Sequence, residues 1–238
     1  TALTVRGHAT HVSQDTSFEE NTSAATYTLG GDGRGTAALG QGATLFSGAR
    51  DIFVSANGNY LIGHSTEDGG REIFVAVRNL SDAASDADWN GTYWFAEMII
   101  DPAFQSFTSA VGGLSSLGAS VATISERVLS DGFSSDFSAV NNYEVNADST
   151  GQLGAVLEND TINMGLGAPS AGVPQAAVGA QISGLGFLSP FHGIFIAIRM
   201  PSLSESGVFL HPLGVVNGAS FAPSTFPIAA GTIVSLFG

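Results

Sequence analysis

One hexapeptide occurs twice in this chain. Ile73-Phe-Val-Ala-Val-Arg78 returns as Ile194-Phe-Ile-Ala-Ile-Arg199, with Ile, Phe, Ala and Arg kept and both valines replaced by isoleucine. A second pair stands upstream in the same order. Tyr27-Thr-Leu-Gly-Gly-Asp32-Gly-Arg-Gly35 and Tyr143-Glu-Val-Asn-Ala-Asp148-Ser-Thr-Gly151 share Tyr, Asp and Gly at equal spacing. The offsets are 116 and 121 residues. Two matches in register point to a duplicated unit of about 100 residues, because a structural repeat keeps its strands and turns in order.

The repeated pieces are strands. Arg50-Asp-Ile-Phe-Val-Ser, Asn59-Tyr-Leu-Ile-Gly, Ile73–Arg78 and Gly91-Thr-Tyr-Trp-Phe-Ala-Glu-Met-Ile-Ile100 are β-branched or aromatic runs bounded by Gly, Asn and Asp. Ala56-Asn-Gly-Asn59 reads as a type I′ hairpin turn, and Glu67-Asp-Gly-Gly70 as another turn. Ala119–Ser130 has helix-forming alanines, but its Val121/Thr123/Ser125 alternation favours a strand. Gly165–Ser189 reads as a long loop with a strand inserted near Ala177–Ile182. The expected fold is all-β: an antiparallel sandwich or barrel of two related halves, plus a C-terminal strand segment. The expected organisation is 1–101 and 102–207 as the related units, with 208–238 as an extended tail.

Composition excludes some functions. The chain has 238 residues and a net charge of −14, and all seven basic residues are arginine. Nucleic acid and anionic membrane surfaces are poor partners, since phosphate neutralisation needs basic clusters. No apolar run approaches the ~20 residues a spanning helix needs, so membrane insertion is not expected. Cysteine is absent, which removes disulfides and thiolate chemistry.

Candidate sites each have a plainer explanation. Asp82, Asp86 and Asp88 put three carboxylates in one loop, a set that suits Ca²⁺, yet the full EF-hand pattern is missing and a solvated acidic loop is favoured. No other cofactor is expected. Trp89, Tyr93 and Trp94 form the densest aromatic cluster and could stack a glycan. Alternation puts part of it in a core, and core packing is favoured. The five histidines are scattered, and His8 and His11 fall on opposite faces of a strand. No nucleophile elbow occurs. Glu97, Asp101, Glu126 and Asp131 could supply a glycosidase pair, but a sequence does not show their separation. Arg78 and Arg199 end equivalent strands, where a carboxylate across the sheet is the expected partner.

The tail adds a resemblance. Val215-Val-Asn-Gly-Ala-Ser-Phe-Ala-Pro223, followed by Pro227-Ile-Ala-Ala-Gly-Thr-Ile-Val-Ser-Leu-Phe-Gly238, resembles the start of the Solibacter-type C-terminal domain. That domain is an Ig-like module of secreted acidobacterial proteins. The resemblance covers about residues 212–238, and Gly218 stands where the family more often has Ala. It implies export from a Gram-negative bacterium and an extracellular or surface location, and it contributes no catalytic residues.

About 30 residues do not form a core alone, so the tail is expected to dock. Ile233, Val234, Leu236 and Phe237 are the expected assembly surface. The leading functional expectation is a non-enzymatic structural or interaction protein that self-assembles, filament-like, by β-strand addition. The alternative is a β module for a glycan or small apolar ligand, and a hydrolase ranks third.

Overall fold

The computed structural model describes residues 3–11, 14–22, 26–39, 48–66, 73–80, 83–101, 106–130, 132–154, 161–182, 192–200, 215–217 and 234–236. These residues are all-β apart from one 3-10 turn, Asp86–Asp88. β1 (Leu3–His11) and β2 (Gln14–Thr22) form a hairpin. β3 (Thr26–Leu29), β4 (Arg34–Leu39), β5 (Gly48–Val54), β6 (Tyr60–Ser65) and β7 (Ile73–Val77) form an antiparallel sheet in chain order.

The next eight strands close into a barrel: β8 (Asn90–Asp101), β9 (Ser106–Leu117), β10 (Val121–Ser130), β11 (Phe133–Val145), β12 (Thr150–Gly154), β13 (Thr161–Gly167), β14 (Ala176–Ile182) and β15 (His192–Arg199). The closing seam is β15 on β8, with His192 opposite Ile100 and Arg199 opposite Tyr93. The barrel draws on 90–199, so its first strand precedes the division expected at 101. β16 (Val215–Asn217) and β17 (Val234–Leu236) pair with each other.

The repeat seen in the sequence is a repeat of backbone hydrogen bonds. β3–β4 turns through Gly30–Gly33 and β11–β12 through Asn146–Ser149. In each turn the fourth amide bonds the first carbonyl: Gly33 to Gly30 at 3.0 Å, Ser149 to Asn146 at 2.9 Å. Each turn's Asp accepts the amide two residues on, Arg34 to Asp32 and Thr150 to Asp148, both at 3.1 Å. Each fourth residue is left-handed, Gly33 at φ 80° and Ser149 at φ 69°. Its carbonyl then receives the next strand: Val54 N to Gly33 O at 2.9 Å, Leu166 N to Ser149 O at 2.8 Å. Later in each unit Gly63 faces Phe74 and Gly179 faces Phe195. Thus β3–β7 repeats β11–β15 strand for strand.

Ser55–Gly58, the β5–β6 turn, uses the same device. Gly58 bonds Ser55 O at 2.8 Å with φ 69°, and the Asn57 side chain accepts Asn59 N at 3.1 Å. Asn57 is not among the positive-φ residues, so this is not the type I′ turn expected from Asn-Gly. The Asx bond places the positive angle on Gly58 alone. Ala119–Ser130 enters β10 as a strand, as its alternation indicated, and the insert near Ala177–Ile182 is β14. Glu67–Gly70 lies outside the described residues.

The core fills the barrel. Tyr93, Phe95, Leu114, Ile124, Tyr143, Leu153, Ile162, Met164, Leu166 and Phe195 point inward from alternate positions and are buried. The chain between β7 and β8 lies against this core through Leu80, Ala84 and Trp89. The five-stranded sheet is tied to the barrel by Ala168 N to Arg78 O at 2.7 Å and an Asn79–Gly167 bridge. Arg199 does not meet the carboxylate expected for it. It donates to Asn90 O and, at 3.2 Å, to the Tyr93 hydroxyl, with its guanidinium 5.7 Å from the Tyr93 ring centre.

Gly151 and Gly35 occupy equivalent places where strands come close. A Cβ on Gly151 would lie 2.2 Å from Glu144 O, and one on Gly35 would lie 1.9 Å from Thr28 O. Both obstacles are backbone, so neither yields without opening the hairpin. Gly151→Val is expected to cost about 2–4 kcal/mol of stability, measured by urea unfolding. A variant as stable as the parent would show that this approach is not a constraint.

Candidate functional site

The barrel interior has two chemically different ends. Near the 3-10 turn its hydroxyls and carboxylates are hydrogen-bonded, while the buried Trp89 indole nitrogen has no partner. The Ser116 hydroxyl donates to Trp89 O at 2.5 Å and lies 2.8 Å from the Tyr143 hydroxyl, which donates to Asp86 O at 3.0 Å. Asp86 accepts Val145 N at 2.6 Å and also the Ser120 hydroxyl. Asp88 accepts Ser85 N at 2.8 Å. The Trp89 ring meets Tyr143 edge-on, with centres 4.9 Å apart. This end is a stopper of packed rings and buried hydrogen bonds.

Trp89, Tyr93, Asp86 and Asp88 are used in that stopper. Trp89 and Tyr93 are fully buried, so neither reaches a glycan at the surface. Trp94 turns the other way on β8, opposite Gly113 and Ile198 on the barrel's outer side. The three aromatics therefore do not share a platform. Burial pushes the Tyr93 hydroxyl above its ordinary range, with Arg199 opposing. Asp86 and Asp88 spend carboxylate oxygens on the backbone contacts above, and Asp82 lies outside the described residues. Among the described residues no group of three His, Cys, Asp or Glu could hold a metal ion. Val234 and Leu236 fall in β17, which pairs with β16; Ile233 and Phe237 lie outside the described residues.

Toward the other end the inward side chains change character. Glu97 on β8, Glu126 on β10 and Gln181 on β14 are buried. β9 separates the two glutamates: Glu97 faces Ala110, and Glu126 faces Gly112. Gln181 faces Gly193, and Glu97 faces Phe195. Glu126 is only 3% exposed, and its Oε1 has no hydrogen-bond partner. Burial pushes its carboxyl from an ordinary 4.5 up to about 7, because the charged form loses its water. On the outer face beside it, Arg127 grips Asp136 through two bonds of 2.7 and 2.8 Å. That bond holds the Asp136 carboxyl below its usual range.

Glu97 and Glu126 entered the sequence reading as two of four undistinguished acids. One signal would have separated Glu126 from the rest. It falls in phase with Ala122, Ile124 and Val128, all buried on β10. A charged residue on the apolar phase of a strand is the exception worth examining.

No protein-family model matches the chain, and no curated protein matches it. Among solved structures, the S-type phycobiliprotein lyase CPES from Guillardia theta is similar over 50% of this chain and 92% of its own length. The identity is 10% and the TM-score 0.33, a likeness that assigns neither a family nor an activity.

Two outcomes follow from this interior. Tyr143→Phe removes the hydroxyl between Ser116 and Asp86, and is expected to cost about 1–2 kcal/mol in urea unfolding. An unchanged midpoint would show that those bonds contribute nothing net. For Glu126 the folded pKa lies above the unfolded one, so its stabilising effect is complete below about 4.5 and is lost as pH rises to about 7. Glu126→Gln is expected to match the parent near pH 4 and to exceed it above pH 7 by up to about 3 kcal/mol. Parallel stability curves from pH 4 to 8 would refute the assignment.

Proposed function

We propose that this chain is an extracellular or cell-surface interaction protein, non-catalytic and self-assembling through β-strand addition at its five-stranded sheet. One comparison supports it. Tyr143 lies inside the closed barrel and is 4% exposed, while its equivalent in the sheet, Tyr27, is 73% exposed. Val145 and Leu29 repeat the contrast, at 7% and 47%. The same strand pattern buries these side chains only where β8, β9 and β10 complete the ring.

The sheet's outer strands are the natural acceptors. Among the described residues β7 pairs in a ladder with β6 alone, and β3 with β4 alone. A strand edge with an apolar flank takes up another strand through main-chain bonds. The sheet edges are the better-supported site for this proposal, because Val234–Leu236 pairs with Val215–Asn217. The tail's resemblance to secreted acidobacterial modules favours an exported location.

Light scattering on the whole chain tests this reading. The parent is expected to form oligomers whose size grows with concentration. Tyr27→Ser combined with Leu29→Ser is expected to shift them toward monomer while leaving the barrel folded, as reported by near-ultraviolet dichroism of buried Trp89. A parent that stays monomeric throughout would end the self-assembly reading.

A further inference from the structure

The repeat reaches further than β3–β7. The β10–β11 hairpin turns with Ser130 opposite Phe133, and the β1–β2 hairpin with His11 opposite Gln14, so both leave two residues in the turn. The fifth residue of the returning strand is Phe in each: Phe137 opposite Glu126, and Phe18 opposite Gly7. β11 continues to Tyr143 and Val145, whereas residues 23–25 separate β2 from β3 and its Tyr27. β1 therefore stands for β10, and β2 with β3 stands for β11. Among the described residues, the barrel strands without a counterpart in the first unit are β8 and β9.

The tail holds such a pair. Carried on by the 121-residue offset of the repeated hexapeptide, Val215 falls on Trp94 in β8, and Val234 falls on Gly113 in β9. β16 and β17 pair antiparallel, as β8 and β9 do. Their register differs by two, because the link 218–233 is two residues longer than the link 97–110. An even shift keeps the two faces of a strand pair. The match is one of position and pairing rather than of residue identity. Among the described residues β16 and β17 pair with each other alone, which leaves the outer edge of each open.

The first unit shows the matching uncovered edge on β7. In the barrel, Phe195 and Ala197 lie opposite Glu97 and Phe95 on β8 and are buried. Their equivalents on β7, Phe74 and Ala76, are only half-buried. Arg199 fastens the β15–β8 seam by donating to Asn90 O at the start of β8. Its equivalent, Arg78, is exposed, and its side chain has no hydrogen bond or ion pair among the described residues.

The chain also shows which unit a following strand pair enters. β8 and β9 follow β7, yet they join β10–β15 and not β3–β7. By the same rule β16 and β17 pass forward, to the first unit of a second copy. We propose that β16 and β17 of one chain complete a barrel with β1–β7 of the next, β16 lying beside β7 and β17 beside β1. This rests on the self-assembly reading above and names its donor. The contact is head-to-tail, so it propagates along a row of copies instead of closing a two-fold dimer. The pairing of Phe95 with Ala197 sets the register, with Val216 opposite Ala76.

Disulfide trapping tests this in a chain that has no cysteine of its own. Opposed residues of an antiparallel pair lie within disulfide reach. Full-length Ala76→Cys and Val216→Cys, mixed and oxidised, are expected to give the mixed dimer at least tenfold in excess over either like dimer. The double variant is expected to give a ladder of covalent multimers. Arg78→Gln is expected to raise the concentration for half-assembly in light scattering at least tenfold, a readout that does not depend on the cysteine variants folding. A parent that oligomerises without a mixed disulfide, or an Arg78→Gln that assembles like the parent, would overturn the proposal and leave sheet-mediated assembly standing. A double variant that forms only an internal disulfide would overturn it in favour of a tail closing on its own chain. A parent monomeric at every concentration would end both readings.

Discussion

The pairing of β8 on both its edges is the contact on which the rest of this structure depends. β8 meets β9 from Asn90 to Asp101 and β15 from Tyr93 to Ile100. Without it, β15 and β9 would each expose a ladder of amides and carbonyls to water, and the barrel would be an open sheet. With it, the inward face becomes dry. Only then do hydroxyls such as those of Ser116 and Tyr143 need each other, and only then does a carboxyl such as Glu126 become hard to ionise. The first unit provides the contrast inside one polypeptide: the same strand sequence, no described strand in the place of β8, and a tyrosine in water.

Within the barrel, polarity is divided along the axis. At the stopper, the hydroxyls and carboxylates have near partners, and the bonds tie together the 3-10 turn, β9 and β11. Such a network specifies one arrangement, because removing a member leaves another buried and unpaired. Toward Glu126, Gly112 lets its neighbours approach: a Cβ there would lie 2.8 Å from the Glu126 Cα and 2.9 Å from a Phe95 ring carbon. The cost of a buried acid there has no structural return of the kind the stopper shows. That asymmetry, rather than the number of acidic residues in the chain, is what singles out Glu126.

The aromatic cluster and the acidic loop show where linear reading misplaces residues. Trp89, Tyr93 and Trp94 are close in sequence, but strand alternation sends Tyr93 inward and Trp94 outward, and Trp89 sits before the strand in the stopper. Asp86 and Asp88 look like cation ligands until Val145 and Ser85 are seen to donate to them. Val145 is 59 residues from Asp86 along the chain, so no local pattern reveals the contact. The Asn-Gly turn was legible as a turn, but its type depended on an Asx bond that the dipeptide rule does not include.

The sequence by itself determined the local and repeated features. β-branched runs, Asx turns and glycines at close approaches are set by short-range sterics, and they recur wherever the same residues recur, so the all-β class and the repeat could be read directly. Closure was decided only in three dimensions. β11–β15 and β3–β7 carry the same pattern, yet one is completed by β8, β9 and β10 and the other stands as a five-stranded sheet. The difference lies in long-range pairing between strands such as β8 and β15, whose partners are far apart in the chain. Burial, hydrogen-bond satisfaction and the altered acidity of Glu126 all follow from that pairing.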